Sequence, residues 1–536
     1  MPVADAVVVG AGPNGLVAAA LLARAGWDVA VLERATEPGG AVRSGEVTLP
    51  GYVHDLYSAF YPMLWASPVL AELGLDRRVE WAGFEVPAGA AVAPGRAAVI
   101  HRDPETTASR LGGVDAGGWR RLMRWWEAAG RPLLETLLAP LPPLRPAAGL
   151  VRRTGVAGAL GCVRLMLEPM ESVARRLLVS DSARALLACG VTHGDVPVDA
   201  CGSTPAALML AVTGQALGMP IPTGGAGRLT AALVDVLTEA GGRLRTATEA
   251  RRVLVERGRA AGVETAAGER WRARRAVVAD LDAGRLLLDL VGAERLPASV
   301  PARLARRRHG SGMFKLDLAL AGTAPWAAEE LRDCGVVHLC GDLDTTAEAQ
   351  HQVGRGLLPA RPQLICGQQS LADASRAPAG GATLWVECHV PGAPRGDAAG
   401  EIGGEGWAAL RDGFTERVLA RLEEHAPGLR SRLLGMAVRS PADLEAENPN
   451  LVGGDVAGGS YALDQQAVFR PLPGWSRYRM PLAGLYLCSG STHPGGGVHG
   501  MGGRNCARRV LADAGAGRVL ARLGRRRDRG EPAAEL

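Results

Sequence analysis

Two histidines flank three consecutive glycines in "STHPGGGVHGMGGRN" (Ser491–Asn505), where six of fifteen residues are glycine. Histidine titrates near neutrality, so His493 and His499 are candidates for proton transfer. His54, next to Asp55, is a third candidate. Glu387 and His389 stand two apart in "TLWVECHV", which puts both on one face of a strand, where they could line a substrate cavity. Each of these residues also suits a purely structural role. Glycine at this density costs backbone entropy, so something must require bare main chain there.

A second chemistry, phosphate binding, is written at the start of the chain: "AVVVGAGPNGLVAAALLARAGWDVAVLER". The pattern predicts a buried strand at Ala6–Val9, a helix from Leu16 to Ala25 and a strand at Asp28–Leu32. Gly10, Gly12 and Gly15 then have separate tasks: a tight turn, a close approach to a pyrophosphate, and helix–strand packing. Pro13 and Asn14 lie in the same loop, at a helix N-terminus whose free N–H groups suit an anion. Glu33 ends the second strand, placed to accept hydrogen bonds from ribose hydroxyls and to repel the 2′-phosphate of NADP. This fingerprint alone does not separate NAD from FAD. Two later segments have related logic. "IPTGGAGRLTAALVDVLTEAGG" is a Gly-rich turn before a helix from about Leu229 to Ala240, followed by a β-meander with turns at Arg257-Gly258 and Ala267-Gly268 and a closing strand "AVVAD". Near the other end, a strand at Leu485–Cys488 delivers the glycine loop to a helix beginning near Gly502.

GxGxxG, then Glu33, then Gly39-Gly40 resembles the N-terminus of the phytoene-desaturase and amine-oxidase flavoproteins. "PGYVHDLYSAFYP", "SPADLEAE", "LDQQAVFRPLPGW" and "THPGGGV…GRN" extend the resemblance over most of the chain. Ala41 follows the glycine pair where amine oxidases usually carry Arg, with Arg43 two positions on, so the desaturase branch is favoured. The resemblance implies FAD as cofactor. It would be held by Gly10, Gly12, Pro13, Asn14, Gly15, Glu33, Arg34, Gly39, Gly40 and Arg43 from the first segment. Gly490, Pro494, Gly495, Gly496, Gly497 and Val498 would close the site from the other end, and Thr223–Arg228 would lie beside the cofactor. Members of the desaturase-like branch often carry His where this chain has Gly458 or Gly459. The implied architecture is α/β: a discontinuous Rossmann-like FAD-binding domain from 1–80, 215–290 and 470–520, a helical cap and substrate region over 81–214, a mixed-sheet substrate domain over 291–469, and a mobile tail over 521–536. The implied activity is dehydrogenation or desaturation of a hydrophobic small molecule, isoprenoid-like or otherwise lipophilic. The alternatives are a redox-neutral flavin-dependent isomerase and a flavin-bound interaction protein.

Bulk properties narrow the classes. The chain has 536 residues, 47% of them hydrophobic and 21% charged, which excludes disorder and suggests several subdomains. A formal charge of +5 without a zinc-finger or RNA-binding signature gives no reason to expect a nucleic-acid partner. Nine cysteines without a CxxC pair predict reduced thiols in a cytoplasmic protein and argue against a disulfide reductase. No metal site is expected. Ala200–Gly227 is uncharged but contains three prolines, so a buried segment is expected rather than a membrane span. The apolar N-terminus lacks a positive n-region and is not read as a signal peptide. Residues 117–180 read as a cap in which Trp119, Trp125 and Trp126 alternate with arginines. That suits an amphipathic lid, or peripheral contact with a membrane. Oligomeric state is not legible.

Overall fold

The computed structural model describes the chain over residues 1–528, with side chains to residue 515. Strands are numbered β1 (Val3–Val9), β2 (Val29–Leu32), β3 (Val86–Ala93), β4 (Arg96–Ile100), β5 (Arg243–Arg245), β6 (Ala250–Glu256), β7 (Arg259–Thr265), β8 (Arg270–Ala279), β9 (Gly312–Leu320), β10 (Cys334–Leu339), β11 (Leu364–Gly367), β12 (Ala382–Val390), β13 (Leu433–Arg439) and β14 (Leu485–Leu487). The principal helices are α1 (Pro13–Arg24), α2 (Gly113–Leu138), α3 (Leu144–Leu167), α4 (Thr204–Leu217), α5 (Gly227–Glu239), α6 (Trp407–His425) and α7 (Met501–Asp528).

The first sheet runs β6-β7-β8-β1-β2-β5, with β14 beside the C-terminal half of β8. Its parallel core, β5-β2-β1-β8-β14, draws on four separate stretches of chain. Its central strands β1, β2, the C-terminal half of β8 and β14 read as largely apolar runs because helices α1, α5 and α7 cover one face and further core the other, whereas the edge strand β5 exposes Arg243 and Arg245. Helix α1 starts three residues earlier than its apolar periodicity suggests. Pro13 takes the first helical position, where its missing N–H costs nothing. Hairpin β6–β7 closes on Arg257 and Gly258, both at positive φ, the conformation of a two-residue turn.

The second sheet, β13-β9-β12-β11-β10-β3-β4, is antiparallel except where β10 pairs with β3. One face (Phe314, Leu316, Leu384, Val386) packs on α6. The opposite face carries Lys315, Asp317, Trp385, Glu387, His389 and His338, by strand alternation. Helices α2, α3 and α4 cover part of that face. Trp119 of α2 is wholly buried and donates from Nε1 to Gln215 of α4 at 3.0 Å, so this tryptophan is an anchor of the cap and not part of its outer surface. Helix α4 is the buried form taken by the uncharged stretch, and among the described residues no helix is long and apolar enough to cross a membrane. Of the expected tail, 521–528 completes α7, and 529–536 lies outside the described residues.

Candidate cofactor and substrate site

Gly10 leaves β1 at φ +93°, which few side chains tolerate. The Leu16 amide donates to Gly12 O at 2.9 Å, closing the first turn of α1. Among the described residues the amides of Gly12 and Asn14 have no partner, so two N–H groups stand free at the positive end of a twelve-residue helix. Glu33 is held by two backbone amides, Ala11 at 2.7 Å and Ala35 at 2.8 Å, and is largely buried. Gly39 donates to Ala11 O at 2.8 Å, and a Cβ on Gly40 would lie 3.2 Å from Gly12 Cα. The second glycine pair therefore rests directly on the first cradle. Free amides, an adjacent fixed carboxylate and a bare backbone wall are what a dinucleotide needs, and the residues present fit FAD.

One neighbour was not legible. Asp280, at the end of β8, accepts from the Gly15 amide at 2.7 Å. A Cβ on Gly12 would meet its Oδ2 at 2.5 Å. Burial pushes its carboxyl up to about 7, against the pull of the Gly15 hydrogen bond.

The C-terminal loop is stapled by buried arginines. Arg470 donates to Gly490 O at 2.7 Å and Ala457 O at 2.6 Å, and Arg307 donates to Gly458 O at 2.7 Å. Gly458 is required there, because its Cβ would lie 2.8 Å from the Gly490 carbonyl carbon. The glycines of the loop have different reasons. Gly496 backs on to Ala457 (2.7 Å from Cα), while Gly502 and Gly503 let α7 press on Cys488 O and Asn14 O. Gly497, at φ +89°, has only the edge of His499 at 4.0 Å. Bare backbone is thus needed for protein packing at most of these positions, and Gly497 alone of the triple is open. Pro494 follows a cis peptide, and Val498 packs against the first sheet's core.

From the glycine pair a polar path leads to the second sheet. Arg43 donates to Gly40 O (3.1 Å) and to Tyr57 Oη (3.0 Å), and Tyr57 donates to Glu447 (2.8 Å). Glu447 accepts from Arg439 (3.0 Å), which donates to Asp317 (3.0 Å), and Asp317 holds the buried Lys315. Asp55 ties the middle glycine turn to the same region by accepting from Ala226 N at 2.7 Å and from Arg376 at 3.0 Å. Arg34 is exposed and makes no side-chain contact of this kind among the described residues.

The three candidate histidines are placed differently. His493 donates from Nε2 to Ala139 O at 3.0 Å. His499 Nδ1 accepts the Met501 amide at 3.0 Å and so caps the start of α7. His54 lies at the second sheet, 2.8 Å from Thr48 Oγ1 and 3.6 Å from Asp317. Burial lowers each to about 4, so all three are neutral at pH 7 and weak as bases. Glu387 is shifted the other way, well above the carboxylate range, by burial that outweighs the attraction of Lys315. No trio of His, Cys, Asp or Glu among the described residues is arranged to hold a metal, and the cysteines are unpaired.

Residues 8–72 match the family model described as an NAD(P)-binding Rossmann-like domain. Pyridine nucleotide-disulfide oxidoreductase domain-containing protein 2 of Rattus norvegicus is 30% identical, over 96% of this chain and 94% of its own. A phytoene desaturase (neurosporene-forming) of Cereibacter sphaeroides is 25% identical, over 92% of each chain. The crystal structure of an oxidoreductase from Methanosarcina mazei superposes with a TM-score of 0.61 at 18% identity, covering 95% of this chain and 99% of that one.

Proposed function

The chain belongs to the phytoene-desaturase-like family of FAD-dependent oxidoreductases, with pyridine nucleotide-disulfide oxidoreductase domain-containing protein 2 among its relatives, and on that premise we propose that it dehydrogenates a lipophilic small molecule. FAD, when bound, accepts the hydride from the substrate. The chain's own part is to bind, orient and keep water out. Gly12, Asn14 and Glu33 hold the dinucleotide end, and the loop around Gly497 faces it from the C-terminal side. The observation that carries the reading is the pair of unspent amides at the start of α1 beside the fixed Glu33 carboxylate. Purified protein should be yellow and release FAD on denaturation. Anaerobic mixing with lipophilic candidates should bleach the flavin without added NADP. Turnover without net bleaching would favour the isomerase, and a colourless protein that FAD does not reconstitute would overturn the reading.

A second feature favours docking on an anionic lipid surface. Beyond a break at Gly155 (φ 73°), helix α3 exposes Val156, Leu160, Val163 and Leu167 in one stripe at helical spacing. Residues 113–167 contain eight arginines against three acids, a surplus of five that equals the whole chain's formal +5. Apolar stripe and localised charge together suit an anionic membrane from which a lipophile is drawn. The protein should float with vesicles containing about a third phosphatidylserine and not with pure phosphatidylcholine. Leu160→Glu with Val163→Glu should abolish flotation and leave FAD content unchanged.

A further inference from the structure

The buried face of the second sheet is too polar for a hydrocarbon. Across it, cross-strand register aligns Arg439, Lys315, Glu387, Ile365 and His338 in one row. Lys315 is satisfied by Asp317 and by the Trp385 ring at 5.5 Å. Arg439 is satisfied by Glu447 and Asp317, whereas the Glu387 carboxyl has no hydrogen-bond partner among the described residues.

Hydrogen-bond logic fixes the protons. His338 Nδ1 is 3.1 Å from Gly89 O, and a carbonyl only accepts, so Nδ1 carries the hydrogen. Burial keeps His338 neutral, and its Nε2 is therefore a bare acceptor. His193 Nε2, 3.0 Å away, must donate to it. His193 is itself kept neutral by burial, which leaves its Nδ1 with an unprotonated lone pair and no partner among the described residues. Close by, the Tyr461 hydroxyl, the Glu387 carboxyl and both ring nitrogens of His389 also lack protein partners among the described residues. His193, His389 and Tyr461 are half-buried, and within this cluster His389 Nδ1 is wholly buried without a partner. Tyr461 joins this cluster to the glycine loop. A Cβ on Gly194 would be 3.3 Å from the Tyr461 ring, and one on Gly496 would be 3.0 Å from its hydroxyl.

A half-buried cluster of unpaired donors and acceptors around a wholly buried, unpartnered His389 Nδ1 is costly to leave empty and suits a polar group of a ligand. The geometry points to a substrate that bears a hydroxyl group on a lipophilic body. The hydroxyl donates to His193 Nδ1 and accepts from Tyr461, with Glu387 and His389 at the rim. This rests on the oxidoreductase reading and specifies its substrate class: an oxygenated lipophile, not a hydrocarbon.

The test compares matched pairs, farnesol with farnesene and 1-decanol with decane. Binding is read by thermal shift and by tryptophan fluorescence, in protein whose FAD content is measured separately. The alcohols should bind at least about tenfold more tightly than their hydrocarbons. Tyr461→Phe removes a hydroxyl that supports nothing in the fold, so it should keep its melting temperature and lose most of that preference. His193→Phe should lose it too. Equal binding of alcohol and hydrocarbon, saturable binding of neither, or an unchanged preference in a folded Tyr461→Phe would overturn the proposal. Alcohol preference in a protein that cannot hold FAD would sustain the hydroxyl site and sink the oxidoreductase reading. A yellow protein indifferent to the hydroxyl would do the reverse.

Discussion

At the scale of single residues, Asp280 is the side chain with the sharpest consequence. Its carboxyl sits at about 7 in the fold against an ordinary 3.8, so between those values the folded protein holds a proton that the unfolded chain releases. Its contribution to stability therefore falls as pH rises from about 4 to about 7 and is flat above, with a slope of at most about 1.4 kcal/mol per pH unit. Asp280→Asn should remove that slope from the denaturant midpoint of apo-protein. With the pyrophosphate at the start of α1 as proposed, it should also tighten FAD at pH 8 by about tenfold by removing a neighbouring anion, as titration calorimetry would show. Tighter FAD binding by wild type as pH rises would contradict this. The positions of the cradle glycines and of Glu33 in the fold were legible because they lie within one βαβ unit. Asp280 was not, since it meets Gly15 across 265 residues. The histidines illustrate the opposite limit: their type and spacing suggested proton transfer, while the burial that lowers them to about 4 is a property of the folded core alone.

At the scale of elements, the glycine loop before α7 separates two effects that its sequence merges. Gly496→Ala pushes a Cβ against the Ala457 backbone and should cost about 1–3 kcal/mol of stability, with or without FAD. Gly497→Ala meets no protein atom closer than 4.0 Å and should cost about 1 kcal/mol for its positive φ, while lowering FAD occupancy much further. Flavin content after desalting, set beside the melting temperature of apo-protein, distinguishes them. A Gly497→Ala protein with full FAD content would mean that this loop does not face the cofactor. Strands and turns with local signals, such as the Arg257-Gly258 hairpin, were readable from the chain. The break in α3 at Gly155 was not, because glycine occurs in unbroken helices here too, at Gly118 and Gly130 of α2.

At the scale of the whole molecule, repeated strand–glycine–helix units made the α/β class readable, and the order of segments suggested that distant pieces share one sheet. The polar row on the second sheet was hidden, because cross-strand register joins Lys315 to Glu387 and His338 to Ile365, and no linear spacing encodes that. A chain ending at residue 480 would lack β14 and α7, and with them the cover over β8 and α1. We expect it to be insoluble or to lack FAD, whereas removing only 529–536 should leave flavin content unchanged; a soluble, yellow 1–480 fragment would refute this dependence. The late arrival of β14 also bears on how the protein is made. At translation speeds of about 5–20 residues per second, the strand that completes the sheet emerges roughly half a minute to a minute and a half after β1. For the last part of that interval, from the synthesis of β8 to that of β14, the C-terminal half of β8 is an open, apolar sheet edge. A chain stalled before residue 485 therefore keeps an unpaired strand edge and should aggregate more readily than the full-length protein.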